Sequence, residues 1–175
     1  MFLNNFAKVS MAISIKKITE HIGAEIDCDG HLRELPERDF VDIKKAFDEH
    51  SVLVFKGQPL LDEDQINFSE RFGSLETTVN SNPEGGGTVM TVLSNVDQQN
   101  KVIPPEDKRM VFNTGNQMWH TDSSFKRVPA LMSLLSGREV PSIGGETQFA
   151  SMRAAYDSLT DQKKMELDDL VCIHD

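Results

Sequence analysis

Cysteine is scarce in this chain: Cys28 and Cys172 are the only two in 175 residues. They stand far apart, without the close pairing of a zinc site, so both read as free thiols of a cytoplasmic protein rather than a disulfide framework. Positive charge is also short. Eighteen Lys and Arg face 28 Asp and Glu, for a formal net charge of -10. That balance excludes the basic footprint of a nucleic-acid binder, and an anionic membrane surface would repel it. The same field disfavours anionic substrates at long range, so any anion site must be built locally from Arg or Lys. No apolar run approaches the roughly 20 residues that span a bilayer, and the opening "MFLNNFAKVS" lacks the apolar stretch of a signal peptide. What remains is a soluble globular composition, 38% hydrophobic and 26% charged, at a length that suits one domain or a large piece of one.

Residues 1–12 read as a disordered extension, with Met11 an alternative start. "ISIKKI" (residues 13–18) and "GAEID" (23–27) then alternate like half-buried strands. "PERDFVDIKKAFDEH" places Phe40, Ile43, Ala46 and Phe47 on one helical face, with Pro36 suited to the first turn. "SVLVFKG" is a β-rich run closed by Gly57 and reads as a buried strand. Asp62-x-x-Gln65 resembles a capping box and opens a helix through Ile66 and Phe72, stopped by Gly73. Residues 77–87 are rich in Asn, Pro and Gly, hence loop. "TVMTVLSN" (88–95), "ALMSLLSG" (130–137) and "ETQFA" (146–150) read as strands. "QQNKVIPPEDKRM", with two prolines, reads as a long loop. Helices are expected from Met152 to about Leu159 and from a Thr160 cap to about Leu170. Short strands with helices towards the ends predict a mainly β barrel or jelly-roll core with flanking helices.

The chemistry concentrates in "NQMWHTDSSF", residues 116–125. Five His and 15 Asp in 175 residues yield about 0.4 chance H-x-D triplets, so the triplet alone is a weak signal. On a strand, residues i and i+2 point to one side, and His120 and Asp122 would aim an imidazole nitrogen and a carboxylate oxygen at one point. With one further His they would make the 2-His-1-carboxylate set that holds Fe(II) and leaves positions open. The bland alternative is a hydrogen-bonded histidine beside a turn.

"NQMWHTDSSF" followed by "GGETQFASMRAAYDSL" resembles the taurine dioxygenase/2,4-dichlorophenoxyacetate dioxygenase family of iron(II)- and 2-oxoglutarate-dependent oxygenases. "IGAEID", "SVLVFKGQPL" and "FSERFGSLE" match its N-terminal portion in order, so the resemblance runs from about Ile13 onward. It implies a double-stranded β-helix (jelly roll), with residues 13–175 as the N-terminal portion of a single oxygenase domain. The implied reaction consumes dioxygen and decarboxylates 2-oxoglutarate to succinate and CO2 while hydroxylating a small organic acid.

By the same resemblance His120 and Asp122 are metal ligands, and Thr147 in "GGET" hydrogen-bonds the 2-oxoglutarate carboxylate. Gly144 and Gly145 permit the close backbone approach. Asn116 matches a substrate-pocket amide, against the alternative of a turn asparagine. Lys101 is a candidate for an anionic substrate group, against that of a solvated lysine. Trp119 and Phe125 are expected to pack the core around the site.

One departure stands out. The family's second histidine and its 2-oxoglutarate arginine lie far downstream of the threonine motif. Here His174 is the only later histidine and matches a non-ligand position, and Arg153 belongs to the "MRAAYD" helix. The sequence is thus expected to be about the first 60% of a family domain, truncated and inactive alone. Its uncovered strand edges would favour a homo-oligomer or a partner supplying the missing strands. The rival reading is a non-catalytic metal-binding or scaffolding jelly roll. A metal-site hydrolase would lack a base and a second carboxylate cluster.

Overall fold

The computed structural model describes residues 13–78, 86–97 and 99–173. The expected extension at 1–12, most of the 77–87 loop and His174 lie outside the described residues. The chain divides into two compact units, Met1–Phe68 with Ser136–Cys172, and Ser69–Leu135 with Ile173–Asp175.

The first unit is built on a three-stranded sheet. Strand β1 (Ile13–Lys17) pairs antiparallel with β2 (Ala24–Cys28), and β2 pairs parallel with β3 (Leu53–Phe55). Ile15 faces Ile26 across the first ladder, and Ala24 faces Leu53 across the second. The alternation read from "GAEID" is real: Ala24, Ile26 and Cys28 are buried, while Glu25 and Asp27 are not. Parallel pairing requires a crossover, and helix α1 (Glu37–His50) supplies it. The Pro36 carbonyl accepts from the amides of Asp39 and Phe40, so proline sits where its missing N–H costs nothing. Phe40, Ile43 and Ala46 are buried on one face, and Phe47 is half-buried beside them. Ser51 ends the helix in the left-handed region (φ 63°), its amide donating to the Phe47 carbonyl. β3 is half-buried rather than buried as expected.

Helix α2 (Asp62–Glu70) begins with a cap one residue earlier than the capping box suggested. The Asp64 carboxylate reaches back to the amide of Leu61, while the Leu61 carbonyl accepts from Gln65. Phe68 carries the helix into the core, where the rings of Phe40 and Phe55 meet it edge to face at 6.1 Å each. Arg138 donates to the Leu60 carbonyl, Asp62 and Gln65 and so braces the start of α2.

The expected helices near the chain's end are present in the first unit, after helix α3 (Lys108–Gly115) of the second unit. Helix α4 (Met152–Asp157) is capped by Ser151, and α5 (Asp161–Asp168) by Thr160. Arg153 donates to the Asp48 carbonyl and so ties α4 to α1.

In the second unit the long segment read as loop is a tight reversal and then a helix. Val96 and Val102 form an antiparallel bridge around a turn in which the Asp97 carboxylate accepts from the amides of Gln99 and Lys101. After Pro104 and Pro105, helix α3 (Lys108–Gly115) starts at Asp107, whose side chain accepts from the Arg109 amide. The guanidinium of Arg109 doubles that contact at 2.9 Å and holds the Asp107 carboxyl down at about 2.

The runs at 88–95, 130–137 and 146–150, expected as strands, enter no ladder among the described residues. The physical reason is that a strand exists only with a partner, and alternation supplies none. The alternation itself survives: from residue 131 to 136, exposed and half-buried positions take turns. Burial is correspondingly one-sided. Among the described residues all the buried apolar side chains but Ile103 fall between Ala24 and Phe68, whereas Leu131, Leu135, Val140, Ile143 and Phe149 are exposed. No helix among the described residues is long and apolar enough to cross a membrane.

Candidate functional site

His120 and Asp122 lie in the second unit, on the irregular stretch that leaves α3 and enters a turn, not on a strand. The expectation of a common direction nonetheless holds, for a different reason. The turn, with Ser123 in the left-handed region (φ 58°), folds the carboxylate back towards the ring. Imidazole Nε2 and carboxylate Oδ1 come within 3.1 Å.

Each partner is held from behind. His120 Nδ1 lies 2.7 Å from the Met118 carbonyl. A carbonyl only accepts, so Nδ1 carries the hydrogen and a neutral ring would present the Nε2 lone pair to the carboxylate. Two acceptors 3.1 Å apart require a cation between them, a proton or a metal ion. The proton alternative is favoured locally. The Met118 carbonyl, and after it the charge and hydrogen bond of Asp122, hold the His120 imidazole above its ordinary range. The metal alternative also fits. Two neighbouring donors at about 2.1 Å from one ion stand roughly 3 Å apart. The other carboxylate oxygen, Asp122 Oδ2, accepts a 2.6 Å bond from Ser133.

The turn has its own anchor. Glu76 accepts from Ser123 Oγ at 2.6 Å and pairs with Lys126 at 2.8 Å. Lys126 also donates to the Thr77 carbonyl. These donors, with the Ala130 amide, pull the Glu76 carboxyl below the usual carboxylate range.

The other expected site residues are placed as follows. Asn116 is an exposed residue at the end of α3, its amide donating to the Asn113 carbonyl. Lys101 is exposed in the Val96–Val102 reversal, and its backbone closes that turn onto Asp97. Thr147 belongs to the first unit and is exposed, just after Gly144 and Gly145, both in the left-handed region (φ 82° and 76°). Trp119 and Phe125 depart from expectation: they are 70% and 54% exposed. Neighbours of a short irregular stretch have no second layer to enter. Among the described residues no group of three or more His, Cys, Asp or Glu side chains converges. Ser133 and Glu76 were not singled out from the sequence. The only signal was a serine breaking the apolar run of "ALMSLLSG" and a glutamate closing "FGSLE".

The family model for the taurine catabolism dioxygenase TauD, TfdA family matches residues 14–175. The chain belongs to that family. It is 42% identical over 137 residues to the alpha-ketoglutarate-dependent 2,4-dichlorophenoxyacetate dioxygenase of Cupriavidus pinatubonensis, covering 76% of this chain and 48% of that protein. It is 39% identical over 133 residues to the (S)-phenoxypropionate/alpha-ketoglutarate-dioxygenase of Delftia acidovorans, covering 74% and 43%. Among solved structures, AAD-2 in complex with Mn(II) and N-oxalylglycine superposes with a TM-score of 0.80 at 37% identity, over 93% of this chain and 55% of that one. The fold is therefore that of this family. The chain spans about half the length of the curated relatives it matches.

Proposed function

We propose that this chain forms part of an Fe(II)- and 2-oxoglutarate-dependent dioxygenase that hydroxylates a small organic acid on a double-stranded β-helix. The observation that carries the reading is the His120–Asp122 pair, with Nε2 and Oδ1 3.1 Å apart inside a family match that runs over residues 14–175. The names of the two relatives above support it, since both name alpha-ketoglutarate and a carboxylic acid.

In this reading His120 and Asp122 hold the metal, a neutral imidazole and a carboxylate being suited to Fe(II) with open positions left over. When bound, iron supplies the activation of dioxygen and the coupled decarboxylation of 2-oxoglutarate. The chain's own residues orient and bind. The Met118 carbonyl fixes the tautomer that turns the Nε2 lone pair outward. The Thr147 hydroxyl donates to the 2-oxoglutarate carboxylate. Asn116 and Lys101 meet the organic acid. In a domain of the relatives' length, the half not spanned here would supply the third ligand and the arginine for 2-oxoglutarate. It would also cover the exposed apolar side chains of residues 128–149 and pair the unladdered runs. Free Cys28 and Cys172 suit a reducing, cytoplasmic setting.

A second reading, a non-catalytic metal-binding jelly roll, draws on the lack of a three-residue ligand cluster among the described residues. Succinate formation separates the two. In a protein of family length carrying this sequence, Fe(II) and 2-oxoglutarate should yield succinate, and His120→Ala and Asp122→Ala should each abolish it. A wild-type yield from either variant would overturn the ligand assignment. The 175-residue chain alone should bind Fe(II) weakly and form no succinate.

A further inference from the structure

The Asp122 carboxylate is not free to rotate. Ser133 Oγ donates to Oδ2 at 2.6 Å, a short bond to a charged acceptor, while Oδ1 faces His120 Nε2. A carboxylate can grip a metal with one oxygen or two. With Oδ2 engaged, only Oδ1 is presented. Glu76 fastens the turn that carries Asp122: its carboxylate accepts from Ser123 Oγ, one residue after Asp122, at 2.6 Å and pairs with Lys126 Nζ at 2.8 Å. The half-buried Glu76–Lys126 pair, 30% and 27% exposed, is sheltered enough to persist where a fully exposed pair would not.

We propose that Ser133 and Glu76 are positioning residues for the metal pair: Ser133 makes Asp122 a one-oxygen ligand, and Glu76 holds the Asp122 turn in place. The proposal rests on the metal reading of His120 and Asp122. One-oxygen binding keeps a position on the metal open that two-oxygen binding would fill. Partners behind a ligand are worth about 10- to 100-fold in metal affinity.

The test titrates a protein of family length carrying this sequence with Co(II), following its visible absorption, which reports both affinity and coordination number. His120→Ala should abolish binding. Ser133→Ala should weaken it about 10- to 100-fold and change the band shape as Oδ2 swings onto the metal. Ser133→Thr keeps the hydroxyl and should restore both affinity and band. Glu76→Gln keeps an acceptor but loses the ion pair, and should weaken binding by a smaller factor with the circular dichroism intact. If wild type does not bind Co(II), or binds it no better than His120→Ala, the metal reading falls and the proposal with it. If wild type binds and Ser133→Ala matches it in affinity and band, the proposal alone fails. A Ser133→Thr variant as weak as Ser133→Ala would overturn it too, since packing rather than the hydroxyl would then matter. A Glu76→Gln variant indistinguishable from wild type would remove Glu76 from the device.

Discussion

Replacing Phe68 by alanine tests whether the first unit has the core described. Phe68 is 4% exposed, and the Phe40 and Phe55 rings meet it edge-on at interplanar angles of 82° and 80°. Truncating a buried phenylalanine costs about 3–5 kcal/mol, because transfer energy is lost and the cavity collapses only in part. Two ring pairs at about 0.5–1.5 kcal/mol each, beyond area burial, push this site to the upper end. Phe68→Leu keeps most of the apolar volume and forfeits the ring pairs, so it should cost about 1–3 kcal/mol. Against a total of about 5–15 kcal/mol for a domain, the alanine variant loses a third or more of its stability. Urea unfolding followed by far-ultraviolet circular dichroism reads both variants against wild type. If Phe68→Ala shifts stability by less than about 1 kcal/mol, the three rings are not the keystone of this unit and the packing argument fails.

Thr147→Val, in a protein of family length, removes one hydrogen bond to a charged carboxylate, worth about 1.5–3 kcal/mol. The Kd for 2-oxoglutarate should rise roughly 10- to 150-fold with iron binding kept, and an unchanged Kd would count against the role. Burial, and secondarily the charges of Asp27, Asp39 and Asp29, raise the Cys28 thiol from 9.0 to about 11, while Cys172 is exposed. An alkylating reagent at mildly alkaline pH should therefore label one thiol per native chain and two in urea; equal native rates would refute this. The stabilising effect of that raised thiol is present below pH 9.0 and is lost as pH rises through about 11. Asp107→Ala should reduce the helicity of α3 by removing its cap. Because Arg109 holds the Asp107 carboxyl at about 2, below its ordinary 3.8, the cap's contribution is complete above that ordinary value and fades only as pH falls through about 2. Amide exchange at Arg109 that does not differ between Asp107→Ala and wild type would contradict the assignment.

The parts of the fold legible in the sequence are those whose signals are local. Alternation in "GAEID", the face of Phe40, Ile43 and Ala46, the stop at Gly57 and the Thr160 cap each act within one or two turns of chain, and each reappears. Helix α3 was obscured by the prolines before it, although Asp107 two residues after Pro105 was a legitimate cap signal. The runs at 130–137 and 146–150 failed in the other direction. Their pattern asks for partners distant in sequence, and no local rule can say whether these are at hand. Ser133 illustrates the same limit within the site. Its bond to Asp122 spans eleven residues and depends on a turn fastened by Glu76, 47 residues before Ser123. Residue types singled out His120 and Asp122, but only packing could reveal what holds them.

The net charge of -10 sets two demands on this site that pull apart. If His120 and Asp122 hold a metal as proposed, an acidic surface favours the approach of a divalent cation. It repels 2-oxoglutarate and any organic acid by the same field. The remedy has to be local, and two cations in the second unit are already committed: Arg109 to Asp107, and Lys126 to Glu76. Lys101 forms no ion pair among the described residues, and its side chain leaves a turn that Asp97 has already satisfied through the backbone. A lysine with no ion pair among the described residues costs little to turn towards an incoming carboxylate. Under the proposed function, that is the physical argument for Lys101 as a counter-charge for the organic acid.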